Sequence, residues 1–344
     1  MKSILQTPQW AEFKKSQGWE ILKLGEIFVH KRGVQLGKNF LYVPEVSADD
    51  ITPSQIEELK KMAKEQNSIF ARLEFLDPFS ENAHKMIRSL GFIKSFEEVQ
   101  PKWRQIINLV QTEEEILAQM KSKGRYNIKV AQKHGVRIEN GFENCRVENS
   151  LKIENCKLKI VNTFYSLYSE TVKREKIQGR SSRYFENMVD KLSDTDYVGI
   201  YTASYQNEPV AAALITIYSG VASYLYGGSS RRHKEVMAPY LMHWKIIQDA
   251  KERGCVTYDM IGRSKPEDVP IENRAPITDR ESSMVIGRSS TESVGKGSKW
   301  AGVTRFKEQF GGEAVEIMGS YDFVVKPRLY KVFKFFEKMR RKSE

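Results

Sequence analysis

The chain has 344 residues, of which 40% are hydrophobic and 29% charged, and its formal net charge is +11. This length favours two domains, because single cores stop growing beyond about 250–300 residues, and no apolar run approaches the roughly 20 residues that a membrane-spanning helix needs. The cationic surplus attracts phosphate groups, so nucleic acid, an anionic membrane surface and a nucleotide-linked substrate are all reasonable partners, with no choice among them.

The first half of the chain alternates strand and helix patterns. Segments rich in β-branched and aromatic residues predict strands at Trp19–His30, Gln35–Val43 and Ser68–Phe75. Between the second and third of these, apolar residues recur on one face of a predicted helix, Ser54–Gln66. A further predicted helix, Ser80–Leu90, ends at Gly91, a typical helix C-cap residue.

The second half repeats the same order of elements. The predicted strands are Tyr197–Tyr205, Val210–Tyr218, Val221–Gly227 and Val256–Ile261, with the helix Ala238–Arg253 before the last of them. The repeat predicts an α/β (or α+β) protein of two similar halves, each a mixed sheet flanked by helices. We expect a first domain of residues 1–142 plus 320–344 and a second of residues 143–319.

Three segments lie outside this plan. Glu113–Gly135 is predicted to be helical and basic, and it joins the halves. Residues 144–160 carry a short near-repeat and read as an insertion without chemistry of its own. The polar stretch Arg263–Lys299 is longer than ordinary loops, which is typical of functional lids or disorder.

The N-terminus predicts a short helix with Thr7 as N-cap and Pro8 in its first turn, carrying Trp10 and Lys14. No apolar signal segment precedes it, so we expect a cytoplasmic protein. The three cysteines form no CxxC pair, which argues against a structural zinc site, and we expect no metal.

Two further segments carry candidate binding residues. Arg180 and Tyr184 have the chemistry and spacing to hold a phosphate or carboxylate, since guanidinium groups make planar, bidentate hydrogen bonds. The alternative is a salt-bridged helix end. Tyr224 and Tyr226 end a predicted strand before two glycines, and the period of two predicts that both side chains share one face.

The segment from Trp300 to Gly312 concentrates aromatic and cationic residues. Val303–Phe306 reads as a short strand, and Gly311-Gly312 as a turn where the backbone approaches another segment closely. Lys307 could place a fixed positive charge where an oxyanion develops. The alternative is a core strand with a solvated lysine.

A donor linked to coenzyme A is disfavoured by what the chain lacks. Such enzymes cradle the pyrophosphate with a glycine-rich loop at a helix N-terminus. The nearest match, Glu292–Gly297, begins with an acid and opens no predicted helix, and the junction Ser229–Met237 contains no glycine.

The run Gly-Val-Thr-Arg-Phe-Lys-x-x-Phe-Gly-Gly, ending at Gly312, closely resembles the C-terminal signature of the FemABX aminoacyltransferases. The Trp-Ala-x-x-Lys, Arg-x₃-Tyr-Phe and Tyr-x-Tyr-Gly patterns around Lys14, Tyr184 and Tyr226 resemble the same family, so the resemblance spans Trp10 to Tyr330. It implies two GNAT-like acyltransferase halves. The coiled-coil arm of some members is not expected, since no heptad run follows Asn162.

The resemblance also implies a function. The protein would pass an amino acid from aminoacyl-tRNA, without a cofactor, to the stem-peptide amine of a peptidoglycan precursor, either UDP-MurNAc-pentapeptide or lipid II. Lys307, with Phe306 beside it, would face the oxyanion. The residues implied to hold the precursor are Lys14, Arg180, Tyr184 and Tyr226. Glu74 occupies a place where the family commonly has an acidic residue, usually Asp.

Two alternatives stay open at this point. One is a GNAT-like N-acyltransferase with another donor or a protein acceptor. The other is a non-catalytic module that binds RNA or the cell envelope. We expect a monomer.

The C-terminal segment Pro327–Lys342 is strongly basic and has an apolar stripe at helical spacing. The stripe consists of Leu329, Val332, Phe333, Phe336 and Met339. It predicts a terminal helix docked on the N-terminal half. The basic face could contact tRNA or the anionic inner membrane, without a membrane-spanning segment.

Overall fold

The computed structural model describes residues 2–34, 37–141, 150–192, 197–268 and 301–343. Its α-helices are α1 (Pro8–Ser16), α2 (Pro53–Glu65), α3 (Glu81–Ser89), α4 (Glu113–Gln119), α5 (Ser122–Lys133), α6 (Ser150–Glu175), α7 (Ser182–Leu192), α8 (Ala238–Glu252), α9 (Ala301–Lys307) and α10 (Pro327–Ser343). Its strands are β1 (Glu20–Leu24), β2 (Ile27–Val34), β3 (Lys38–Val46), β4 (Phe70–Pro78), β5 (Ile93–Lys94), β6 (Trp103–Asn108), β7 (Arg137–Asn140), β8 (Val198–Tyr205), β9 (Glu208–Tyr218), β10 (Val221–Ser229), β11 (Thr257–Gly262) and β12 (Glu313–Val324).

One mixed sheet runs through both halves of the described chain. Its strand order is β1-β2-β3-β4-β12-β6-β11-β10-β9-β8-β7, and β5 pairs with β12. Two pairs are parallel, β3 with β4 and β10 with β11, and the other pairs are antiparallel. Each half is therefore an antiparallel meander, a helix and a parallel strand, and the predicted α/β architecture with a duplicated element order is confirmed.

The centre of the sheet joins the two halves. Strand β12 pairs with β6 through residues 313–316 and with β4 through residues 317–324. Strand β6, from the first half of the chain, also pairs with β11 from the second. The predicted domain boundaries at residues 142 and 320 stay a prediction.

The second half of the sheet is covered on both faces, as side-chain alternation along β9 requires. Ala211, Ala213 and Ile215 pack in the cluster that includes α4, α5 and α8. Ala212 and Leu214 point the other way, into the cluster that includes α1, α6 and α7. The N-terminal helix α1 thereby packs against elements of the second half, and this packing places Lys14 at the site described below.

Two predicted elements differ from the structure. Trp19–His30 is two strands, β1 and β2, because Gly25 turns the chain between them at φ 59°. Val303–Phe306 is not a strand but lies in helix α9. There Thr304 and Lys307, three residues apart, are both buried, and Phe306 contacts Phe310, four residues on. Burial and contacts therefore follow the helical period, although the Val-Thr pair favours a strand.

The insertion and the polar loop lie partly outside the described residues. Residues 142–149 and 269–300 are not described, while residues 150–160 belong to helix α6, which packs on β9 and β10. None of the described helices combines the length and apolarity needed to cross a membrane.

Candidate functional site

Helix α1 presents Lys14 beside a tryptophan. Thr7 caps the helix, its Oγ accepting from the backbone N–H of Trp10 at 3.2 Å, and Pro8 follows as predicted. Trp10 and Phe13 form the buried face of α1, and Lys14 follows in its last turn. The Nζ of Lys14 lies 4.6 Å from the ring centroid of Trp19, within range of a cation–π contact.

Two arginines approach Lys14, and we call Lys14, Arg32 and Arg180 the cation cluster. The guanidinium of Arg32 lies 5.1 Å from the same Trp19 ring. Burial, and then the charges of Arg180 and Arg32, lower the pKa of Lys14 to about 8. None of the three forms an ion pair with a carboxylate among the described residues. Three cations that repel one another without a counter-charge are typical of an anion-binding site.

A buried histidine lies behind the cation cluster. The ring of His30 is 5.9 Å from Trp19, and neither of its nitrogens has a hydrogen-bond partner. Burial, and then the charge of Lys14, lower the pKa of His30 to about 3. His30 is therefore neutral at physiological pH and adds no fourth charge.

Two tyrosines complete this part of the site. The guanidinium of Arg180 lies 5.2 Å from the ring of Tyr184, whose hydroxyl is 3.2 Å from that of Tyr226. The backbone N–H of Arg180 donates to the hydroxyl of Tyr168 at 3.0 Å, and the ring of Phe13 meets Tyr184 edge to face. The structure thus brings Lys14, Arg180, Tyr184 and Tyr226 together, although α1 and α7 are far apart in sequence.

The prediction that Tyr224 and Tyr226 share one face is wrong. The register of β10 against β9 shifts between them, which marks a β-bulge at Leu225. A bulge adds one residue and reverses the alternation. Tyr224 consequently packs in the cluster that includes α8, while Tyr226 packs in the cluster that includes α6.

Gly228, the second glycine after Tyr226, allows helix α6 to pack closely against strand β10. A Cβ on Gly228 would lie 2.4 Å from the carbonyl carbon and oxygen of Leu167. Close packing at this point fixes Tyr168, the next residue of α6, whose ring lies 6.0 Å from that of Tyr226. The Gly-Gly pair therefore supports the position of the tyrosines.

Lys307 lies at the end of α9 and is 4% exposed. Its Nζ donates to the carbonyl oxygens of Gly262 at 2.6 Å and Ile261 at 3.2 Å, and lies 5.8 Å from the ring of Tyr224. Burial lowers the pKa of Lys307 to about 8, with Arg263 also lowering it and Asp259 acting in the opposite direction. Lys307 is therefore charged at neutral pH but loses its proton in the mildly alkaline range. Its neighbour Tyr224 packs in the cluster that includes α8, whereas Tyr226 packs in the cluster that includes α6.

Phe306 fixes the helix that carries Lys307. Its ring packs against Tyr240, His243 and Phe310 at centroid distances of 5.1, 5.4 and 5.3 Å. Burial, and then Lys307, lower the pKa of His243 to about 3, so this ring is neutral beside the lysine. Phe306 therefore anchors α9 against α8.

The turn that follows α9 approaches the backbone of other segments, as predicted from Gly311-Gly312. Both glycines have positive φ, 75° and 74°. A Cβ on Gly311 would lie 2.8 Å from the carbonyl oxygen of Gln119, and one on Gly312 would lie 2.1 Å from that of Ile106. A side chain at Gly311 would collide with the end of α4, and one at Gly312 would push β12 away from β6.

A buried ionic chain underlies the lysine, and it was not predicted from the sequence. Arg104 pairs with Asp259 at 2.8 Å through Nη1 and with Glu45 through Nη2, and Ser3 Oγ donates to Glu45 at 2.6 Å. Arg104 and Asp259 lie on the neighbouring strands β6 and β11. A charged residue among the apolar residues of each strand, Trp103–Asn108 and Thr257–Gly262, was the available signal.

Glu74 is fully buried and lies apart from the cation cluster. It accepts hydrogen bonds from the hydroxyl of Tyr42, the backbone N–H of Gln100 at 2.8 Å and the hydroxyl of Ser320 at 3.2 Å. Burial, and then the charge of Glu45, raise its pKa to about 7. Its connection to the cluster runs through Tyr42, whose ring lies 6.3 Å from that of Trp19.

No metal site is evident in the described parts of the chain, where no group of three or more His, Cys, Asp or Glu side chains is placed to hold an ion.

Comparison with known proteins agrees with this architecture. The model of the FemAB family matches residues 1–203, 196–268 and 291–338. Lipid II:glycine glycyltransferase of Staphylococcus epidermidis RP62A is 22% identical, covering 95% of this chain and 89% of the relative, and that of Staphylococcus aureus USA300 is 21% identical, covering 98% and 95%.

Solved structures share the fold. The crystal structure of FemX superposes with a TM-score of 0.74 at 18% identity, covering 96% of this chain and 94% of FemX. The structure of L-PGS from Bacillus licheniformis gives a TM-score of 0.54 at 12% identity and 98% coverage of both chains. The fold and the family match define an aminoacyltransferase. The chain belongs to the FemAB family.

Proposed function

We propose that this protein transfers an amino acid from aminoacyl-tRNA to the stem-peptide amine of a peptidoglycan precursor, in the formation of interpeptide bridges. The observation that carries the proposal is the cation cluster beside Tyr184 and Tyr226, in a family whose curated relatives are named lipid II:glycine glycyltransferases.

The cation cluster suits the diphosphate of such a precursor. Arg180 and Arg32 offer planar donors that match phosphate oxygens, and Lys14 adds a compact charge between them. Binding a diphosphate would relieve the mutual repulsion that lowers the pKa of Lys14. The tyrosine hydroxyls supply further hydrogen bonds, which fix the orientation of the acceptor.

The reaction requires side chains mainly to position the two substrates and to stabilise the developing negative charge. The neutral acceptor amine attacks the ester carbon of aminoacyl-tRNA, a C–N bond forms, and a tetrahedral oxyanion develops. Collapse of this intermediate breaks the C–O bond, and the ribose hydroxyl of tRNA leaves with the proton that the amine gives up. Lys307 supplies positive charge for the oxyanion, and Phe306 holds α9 in place.

The donor is tRNA-linked in this proposal, and no cofactor takes part. Helix α5 offers a surface for the RNA backbone, since Lys123, Lys129 and Lys133 are exposed there together with Tyr126. Lysines neutralise phosphates, and an exposed aromatic ring can stack on a base. This basic face matches the net charge of +11.

The test combines purified protein, charged total tRNA and each of the two precursor forms, nucleotide-linked and lipid-linked, with mass spectrometry of the acceptor. We expect the acceptor to gain the mass of one or more amino-acid residues only when charged tRNA is present. Deacylated tRNA and acyl-coenzyme A esters are the control donors. A mass gain with acyl-coenzyme A alone, or none with either precursor, would refute the proposal.

A further inference from the structure

The C-terminal helix α10 is apolar on two adjacent faces, one docked and one exposed. One face docks on the N-terminal half of the sheet, as predicted, because Leu329, Tyr330 and Phe333 pack against Ile69 and Phe70. The hydroxyl of Tyr330 also donates to buried Asp322 at 2.6 Å. The helix is therefore fastened to the sheet, and its outer face has a fixed orientation.

The outer face is unusually apolar for a surface. Val332, Phe335, Phe336 and Met339 are between 49% and 59% exposed. Their spacing of three, four and seven residues places them on one side of the helix, and the rings of Phe335 and Phe336 touch at 5.9 Å. The apolar stripe predicted from the sequence is thus divided, since only Leu329 and Phe333 of its members face the sheet.

Cations flank this exposed face. Arg328, Lys331 and Lys338 are exposed on the same helix, and none of them forms an ion pair within the described residues. An apolar face bordered by unpaired lysines is typical of helices that lie in the headgroup region of an anionic bilayer. Soluble proteins rarely expose a large contiguous apolar patch such as the one to which these two adjacent phenylalanines belong.

Helix α10 is connected to the cation cluster through aromatic rings on its docked face. On the docked side of α10, the ring of Phe333 is 5.9 Å from Phe40, which is 6.0 Å from Trp19. Trp19 in turn carries Lys14 at 4.6 Å. Two ring contacts therefore separate the helix from the tryptophan of the proposed diphosphate site.

We propose that the outer face of α10, formed by Val332, Phe335, Phe336 and Met339, lies in the headgroup region of an anionic bilayer and holds the cation cluster beside a lipid-linked acceptor. The nature of the acceptor rests on the proposed function, whereas membrane binding by α10 is measured without any reaction. Failure of one is thus distinguishable from failure of the other.

The experiment is flotation of the full chain with vesicles of phosphatidylcholine mixed with phosphatidylglycerol, and with vesicles of phosphatidylcholine alone. We expect binding to the mixed vesicles. The double variant Phe335→Ser and Phe336→Ser should bind at least about tenfold more weakly, because two aromatic side chains no longer enter the interface. The matched control is Val110→Ser with Val256→Ser, which removes exposed apolar side chains elsewhere and should bind like the wild type.

A charge variant tests the electrostatic half of the proposal. Lys331→Glu with Lys338→Glu should lose binding to the mixed vesicles, most clearly at low salt, with its thermal melting temperature nearly unchanged. Transfer to a soluble, nucleotide-linked acceptor should be the same in wild type and variants if that acceptor is used. Wild-type protein that does not float, or variants that float equally, would overturn the proposal. So would sedimentation showing that this face instead joins a second copy of the chain.

Discussion

The carboxylate of Asp259 accepts a hydrogen bond from the backbone N–H of Ile261, with Oδ1 and N 2.6 Å apart. Ile261 has φ 54°, a left-handed conformation that is costly for a β-branched residue. In this conformation the carbonyls of Ile261 and Gly262 both accept from Lys307. Because Arg104 holds the other oxygen of Asp259, the buried ion pair positions the lysine.

Asp259→Asn should change the pH dependence of transfer. Lys307 stabilises an oxyanion only while protonated, so kcat/KM should fall as pH rises through its pKa of about 8. Asp259 raises that pKa, and its neutral replacement should therefore move the alkaline limb to lower pH, by roughly half a unit to one unit. The exposed Asp50→Asn is the control. An alkaline limb at the same pH in both variants would contradict this role.

Arg180→Ala should act through binding, because the guanidinium belongs to the cation cluster and not to the reacting centre. We expect the KM for the precursor to rise roughly tenfold to a hundredfold, the loss of one charge-assisted contact, with a smaller change in kcat. Arg183→Ala removes an exposed arginine from the same segment and should leave KM unchanged. A loss confined to kcat at saturating precursor would show that Arg180 does not hold the acceptor.

Glu74→Gln should flatten the pH dependence of stability. The folded-state pKa of Glu74, about 7, is above its ordinary value of 4.5, so the folded protein binds the extra proton between those values. The free energy of unfolding of the wild type should accordingly decrease as pH rises through this window, by about 3 kcal/mol at most. Urea unfolding below and above the window measures the slope. Equal slopes in wild type and variant would place the titration elsewhere.

Gly228→Ala should destabilise the fold, since the added methyl group meets the backbone of Leu167 at 2.4 Å and α6 must move away from β10. We expect a loss of about 1–3 kcal/mol in the free energy of unfolding. Gly33→Ala is the matched control, because Gly33 also lies in a strand and has open space around its Cβ position. Equal melting temperatures for the two variants would mean that α6 shifts at no cost.

The sequence was sufficient for the order of elements because period and turn residues are local signals. The helices Pro53–Glu65 and Ala238–Glu252 and the meander around β9 were predicted within a few residues. The motif around Lys307 indicated the family, although we predicted a strand where the structure has a helix. Local β-propensity favoured a strand there, and packing of Phe306 and Phe310 decided for a helix.

The features that could not be predicted from the sequence depend on contacts between residues far apart in the chain. Arg104 and Asp259 are 155 positions apart, and the sequence of neither strand indicates which strand it pairs with. The bulge at Leu225 depends on the pairing of β10 with β9, so the reversal of Tyr226 could not be read from a period of two. The addition of Arg32 to the cluster likewise required the positions of α1 and Trp19.

The most direct measurement compares single-turnover transfer by the wild type and Lys307→Met, with the acceptor saturating and aminoacyl-tRNA bound. We expect the rate constant to fall roughly a hundredfold, about 3 kcal/mol, with the dissociation constant of the precursor nearly unchanged. Lys251→Met is the matched control, since its Nζ also donates to two backbone carbonyls, those of Leu109 and Gln111, away from the site. A Lys307→Met rate constant within about twofold of the wild type would contradict the assignment of Lys307 to the oxyanion.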